Sequence, residues 1–181
     1  MFQEKIQDEI IEFVEQQLKK YNFGKRGYAD GDYNEQRTGL IGQTKIQDLF
    51  NCARLDGENG FDDGIDFIFS SRAIDVKTMG RTVDPKLTYV NNFMGLQKDY
   101  KSDTIIFCSF NKKTNILTIC GWITKKELLS KAFFYKKGTK RFRTDGTSFI
   151  TKTDLYEIEN TLLNSPVTLK QLIEDIKTIK N

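Results

Sequence analysis

Residues 64–78 read "GIDFIFSSRAIDVKT", and this hairpin pattern constrains the chain more than any other stretch. Strand side chains alternate, so Phe67 and Phe69 share one face while Asp66, Ile68 and Ser70 share the other. In the returning strand Ile74 and Val76 oppose Ala73, Asp75 and Lys77. The apolar set can pack against a helix, which leaves Asp75 and Lys77 on the other side of the sheet. A two-residue turn at Ser70-Ser71 pairs Phe69 with Arg72 and Ile68 with Ala73, and brings Asp66 opposite Asp75.

The flanking sequence supplies the layers. Phe2, Ile6, Ile10, Phe13, Val14, Leu18 and Tyr21 recur at helical spacing and predict one amphipathic helix over residues 2–21. After a glycine-rich, charged loop, a second helix is expected from near Thr38, with Ile46, Leu49, Phe50 and Ala53 inward. Beyond the hairpin, residues 79–103 read as a polar connection with one short helix over residues 93–99. "TIIFCSF" and "ILTICGWI" are two strong strands joined by the turn-rich "NKKTN". Thr124 and Glu127 form a capping-box pattern that begins a further helix. Ser165-Pro166 reads as an N-cap and first helical position, starting a last helix through Leu169, Leu172, Ile173, Ile176 and Ile179. This order predicts a single α/β domain over residues 1–181, with a central mixed β-sheet flanked by helices.

Composition then narrows the chemistry. With 38% hydrophobic and 12% aromatic residues among 181, one sizeable core is expected. No run approaches a membrane span, and the first residues mix acids into apolar positions unlike a secretory signal. A soluble cytoplasmic protein with no membrane partner is therefore expected. Cys52, Cys108 and Cys120 form no CxxC pair and read as free thiols. The chain has no histidine. Ser-His and Cys-His nucleophile pairs, histidine bases and imidazole metal sites are thereby excluded, leaving carboxylate and lysine chemistry of the kind that suits Mg²⁺ or Mn²⁺ and phosphate substrates.

The net charge of +3 is modest, but residues 131–152 concentrate cations. Lys136, Lys137, Lys140, Arg141 and Arg143 alternate there with Phe133, Phe134, Tyr135 and Phe142, a mixture able to follow a phosphate backbone while aromatics anchor the segment or meet bases. A solvated loop beside a strand is the competing reading. Arg81, just after the hairpin, is a further candidate phosphate contact.

Two carboxylates directly opposed across a hairpin repel one another. Lys77 supplies part of the missing positive charge, and a divalent cation can supply the rest. The acid-x-Lys pattern alone is weak, since Asp84-Pro85-Lys86, Asp99-Tyr100-Lys101 and Asp175-Ile176-Lys177 also carry it. Only Asp75-Val76-Lys77 sits on a strand preceded by another strand bearing an acid. A salt-bridged hairpin face remains the alternative on these grounds. Asp62 and Asp63 are nearby acids, read as a turn of solvated charge.

Gly64-Ile65-Asp66, the intervening strand and Ile74-Asp75-Val76-Lys77 together resemble the signature of the PD-(D/E)XK nucleases, the restriction-endonuclease-like superfamily. The resemblance extends to the order of elements along the whole chain. It implies that Asp66 and Asp75 are the metal-binding acids, with Val76 included in the metal site, and that Lys77 positions or activates the attacking water. Gln43 takes the place of the acid that this family often contributes from the preceding helix, and Ile65 stands where the motif name has proline. Gln97 and Tyr100 resemble the Gln-Tyr motif of the RecB-like branch at a spacing one residue short.

The resemblance implies a Mg²⁺- or Mn²⁺-dependent endonuclease acting on DNA, of restriction, phage or mobile-element type, with cleavage of both strands requiring a homodimer or two successive events. Two alternatives stay open. One is an inactive nuclease-fold module that binds DNA or a protein; the other is the same chemistry on RNA or branched DNA.

Overall fold

The computed structural model describes residues 1–23, 31–55, 57–58, 63–142 and 146–179; Asp62 and Arg143 lie outside them. In chain order the elements are β1 (Phe2–Lys5), α1 (Asp8–Lys20), α2 (Tyr33–Leu49), β2 (Phe67–Phe69), β3 (Arg72–Arg81) and β4 (Val90–Met94). After a 3₁₀ turn at Gly95–Asp99 come β5 (Thr104–Asn111), β6 (Ile116–Thr124), α3 (Lys125–Lys131), β7 (Phe133–Tyr135), β8 (Lys140–Phe142), β9 (Ser148–Ile150), β10 (Leu155–Glu159) and α4 (Leu169–Lys177).

The hairpin has the predicted register, with Phe67 paired to Ile74, Ile68 to Ala73 and Phe69 to Arg72. Ser70 and Ser71 sit at φ 49° and 66°, the left-handed pair that a two-residue turn needs to match strand twist. This hairpin edges a mixed five-stranded sheet of order β1-β6-β5-β3-β2. Its one parallel pair is β3 with β5, and β5 and β6 form the predicted antiparallel hairpin. The α/β reading with a mixed sheet is therefore the observed fold class. A second antiparallel sheet, β4-β10-β7, and a separate β8-β9 hairpin complete the strands.

Alternation along β3 and β5 divides the interior. Ile74, Val76, Ile106, Cys108 and Phe110 join Ile10, Val14, Ile41, Ile46, Leu172 and Ile176 in a core between the sheet and α1, α2 and α4. On the opposite face, Ile105, Phe107 and Ile123 pack with Phe93, Leu128 and Ile158. Asp75 and Lys77 pair with Ile105 and Phe107, so they belong to this second face.

Several boundaries differ from the sequence expectation. Residues 2–5 form β1 rather than the first turn of a helix, because their backbone pairs with Ile116–Ile119 of β6. The α2 helix begins at Tyr33, well before Thr38, where the Asp32 carboxylate accepts the Glu35 N–H at 2.8 Å and the Glu35 side chain returns to the Asp32 N–H at 3.0 Å. The supposed polar connection holds β4, which pairs with β10. Helix α4 is capped by Thr168, whose hydroxyl accepts the Gln171 N–H at 3.2 Å. Ser165 instead donates its hydroxyl to the Cys120 carbonyl. The Thr124–Glu127 capping box is present as predicted. Among the described residues no helix is long and apolar enough to cross a membrane.

Candidate functional site

The backbone of β3 carries Asp75 into the interior one residue after Ile74, itself at the start of the β5 pairing. Asp75 is 1% exposed. Burying a carboxylate this deeply is costly without compensating charge. Lys77 Nζ donates to Asp75 Oδ1 at 2.6 Å, while Asp75 Oδ2 is buried with no hydrogen-bond partner. An ion pair that left half of a buried carboxylate unsatisfied would be a poor structural device. The same arrangement is well suited to an electropositive ligand at Oδ2.

Asp66 lies one residue before the paired part of β2. Its backbone N–H donates to the Ile74 carbonyl at 2.8 Å, and its Oδ2 accepts the Val76 N–H at 2.7 Å. It therefore grips β3 on both sides of Asp75. Gly64 sets this entry: its φ is +74°, and a Cβ there would stand 2.5 Å from Tyr100 Cδ2. Only glycine gives both the left-handed backbone and the room for that ring.

Helix α2 packs on the other face of β3 and fixes the strand from behind. Gly42 lets it approach β3, since a Cβ at that position would meet Thr78 Oγ1 at 1.9 Å. Gln47 Nε2 donates to the Asp66 carbonyl at 2.9 Å. Gln43, one turn earlier on the same helix, is 8% exposed, and its Nε2 is buried without a partner. Thr78 Oγ1 is likewise unpartnered. Gln43 and Thr78 thus lie on the α2 side of β3, across the sheet from Asp75 and Lys77, so Gln43, expected in place of the acid from the preceding helix, does not reach Asp75. Among the described residues, no three Asp, Glu, Cys or His side chains form a metal-sized group. A cation at Asp75 Oδ2 would complete its shell with neutral oxygens and water, as Mg²⁺ and Mn²⁺ commonly do.

Sequence reading missed Lys125. As the first residue of α3 it follows directly on β6, whose Thr124 pairs with Thr104 of β5. Its Nζ donates to the Tyr100 and Lys98 carbonyls, and its backbone N–H to the Asp103 carbonyl. Burial pulls its pKa below the usual lysine value, opposed by the charges of Asp75, Asp103 and Asp99. The candidate centre thus has two lysines, one bonded to Asp75 and one held by loop carbonyls. A lysine at a strand-to-helix junction is the signal that was available in the sequence.

The other candidates lie elsewhere. Arg81 is about 20 Å along β3 from Asp75, at the usual strand rise. It donates from Nη2 to the Val90 carbonyl at 2.8 Å and lies 4.8 Å from the Tyr89 ring centroid. Burial lowers its pKa. Arg141 is bonded to the buried Glu157 at 2.7 Å and packs over Tyr135. Lys136, Lys137 and Lys140 are exposed. Asp63 pairs with Lys101 at 2.6 Å. Gln97 is buried and caps the 3₁₀ turn through the Met94 N–H at 3.0 Å.

Comparison of the chain with protein-family models, with curated proteins and with solved structures gives no match.

Proposed function

We propose that the protein is a Mg²⁺- or Mn²⁺-dependent endonuclease that hydrolyses DNA phosphodiester bonds from a restriction-endonuclease-like core. The observation that carries this reading is Asp75: a buried carboxylate with one oxygen on Lys77 and the other unsatisfied, gripped through its strand neighbours by a second aspartate.

In this reading Asp66, Asp75 and the backbone at Val76 hold the ion; Gln43, on the α2 side of the sheet, takes no part in it. Divalent metal, when bound, neutralises phosphate charge and makes water a better nucleophile near neutral pH. Lys77, fixed by Asp75, orients the attacking water and stabilises negative charge that grows on the phosphoryl oxygens. Lys125 adds a second fixed positive charge at the same end of the sheet. The absence of histidine from the chain is no obstacle, because none of these roles requires imidazole. Lys136, Lys137 and Lys140 bind the DNA backbone. One centre per chain cuts one strand, so cleavage of a duplex uses two copies or two successive events. The protein acts in the cytoplasm, in keeping with its free thiols.

The test is incubation with supercoiled plasmid in Mg²⁺, in Mn²⁺ and in EDTA, using the wild type and Asp75→Ala. Metal-dependent nicking that disappears in the variant is the expected result. Equal activity in both proteins would rule out this centre.

A further inference from the structure

The cationic segment forms a structure of its own. Strands β8 and β9 pair only with each other, Lys140 opposite Ile150, Arg141 opposite Phe149 and Phe142 opposite Ser148. Two-stranded hairpins are marginal in water unless something anchors them. The anchor is Arg141, whose guanidinium is held by Glu157 of β10 and by the Tyr135 ring of β7. Alternation then turns Lys140, Phe142 and Ile150 to the opposite face. Phe142 is 61% exposed and Ile150 64%, and the Lys140 ammonium lies 5.2 Å from the Phe142 ring centroid. On neighbouring β7, Phe133 and Phe134 are also exposed. No acid occurs among the described residues of β8 and β9.

A shallow cleft of about 350 Å³ lies between the 3₁₀ turn and the segments flanking this wing. Lys98 and Asp99 line one side, and Lys137 and Asp154 the other. Lys98 also offers its carbonyl to Lys125, which brings that end of the cleft near Lys125. Lys137 of the cleft wall stands three residues before Lys140 of β8, so the cleft and the wing make one path along the surface.

Resting on the nuclease reading, we propose that this path is a track for single-stranded DNA, in which Lys137 and Lys140 follow phosphates and Phe142 and Ile150 receive unstacked bases. A duplex buries the flat faces of its bases and would leave an exposed aromatic and aliphatic face in contact with nothing that complements it. Unpaired bases present those faces, and aromatic stacking accepts any base. The preferred substrate is therefore DNA with a single-stranded segment beside the cut.

Fluorescence anisotropy on the full chain in EDTA separates binding from cleavage. Labelled oligothymidylate, a blunt duplex, the same duplex with a single-stranded tail, and oligouridylate are the probes. Single-stranded and tailed DNA should bind more tightly than blunt duplex. Phe142→Ala should weaken that binding about tenfold, with Phe142→Trp restoring it. Lys140→Gln should reduce the salt dependence by about one counterion. In Mg²⁺, Phe142→Ala should raise KM on the tailed substrate. A preference for blunt duplex, binding to oligouridylate alone, or unchanged affinity in Phe142→Ala would each overturn the track. Tight binding that depends on Phe142, without any metal-dependent cleavage, would uphold the track and sink the nuclease reading instead.

Discussion

Asp66 holds β3 by a bond from its own N–H to the Ile74 carbonyl and by another at Oδ2 from the Val76 N–H, and so brackets Asp75. The aspartate is thus structural and electrostatic at once, and the two roles can be separated. Asp66→Asn keeps an oxygen acceptor for the Val76 N–H while removing the charge. Thermal unfolding should shift little, and metal-dependent cleavage should fall by on the order of 100-fold. A plasmid-nicking rate within a few fold of wild type would show that the Asp66 charge is dispensable.

Lys77 and Asp75 form a pair in which the carboxylate is the more buried partner, with side-chain exposures of 22% and 2%. Lys77→Met leaves that carboxylate buried and uncompensated, which costs about 3 kcal/mol. If a divalent ion binds at Asp75 Oδ2, saturating Mg²⁺ or Mn²⁺ should recover part of this stability, because a ligand selective for the folded state stabilises it by mass action. Denaturant titrations in EDTA and in metal measure both quantities. An equal loss in the two conditions would argue against metal at Asp75.

Gly42 sets the distance between α2 and β3. Alanine there collides with Thr78 Oγ1 at 1.9 Å and Cγ2 at 3.0 Å, so Gly42→Ala should destabilise by about 1–3 kcal/mol despite alanine's better helix propensity. Thr78→Ala removes both of those atoms and should rescue part of the loss, although Thr78 Cβ, 2.9 Å away, remains. A double-mutant cycle from denaturant melts should show a coupling of opposite sign to the single-site cost.

The thiols differ in environment. Burial raises Cys108 well above its ordinary value and Cys120 to about 12, and it raises the half-buried Cys52 as well. An aromatic disulfide reagent at pH 8 should therefore label Cys52 alone, and slowly, in the native protein. All 3 cysteines should react after unfolding. Fast native labelling of three equivalents would mean that the sheet core opens readily.

The hairpin that carries Asp75 and Lys77 was legible from sequence because everything that fixes it is local. Ser70-Ser71 makes a two-residue turn, the turn fixes the register, and a period of two assigns Asp75 and Lys77 to one face. The capping box at Thr124 and the β5–β6 hairpin were legible for the same reason. The N-terminal segment was not. Phe2, Ile6 and Ile10 satisfy a helical repeat, but the edge of β6 offers Phe2–Lys5 a ladder of hydrogen bonds that no neighbour in sequence can provide. Likewise, β10 carries Glu157 into the interior, which contradicts a strand reading until Arg141 arrives from β8 to neutralise it.

The sequence by itself determined the acids, the lysine beside them, the absence of imidazole and the hairpin that aligns Asp75 with Lys77. Tertiary structure decided what those groups face. The parallel pairing of β3 with β5 puts them on the face opposite α2, the loop carbonyls after the 3₁₀ turn bring in Lys125, and Glu157 takes Arg141 out of the exposed cationic set. Those outcomes depend on contacts between residues far apart in the chain, where burial and charge compensation, rather than local periodicity, select the arrangement.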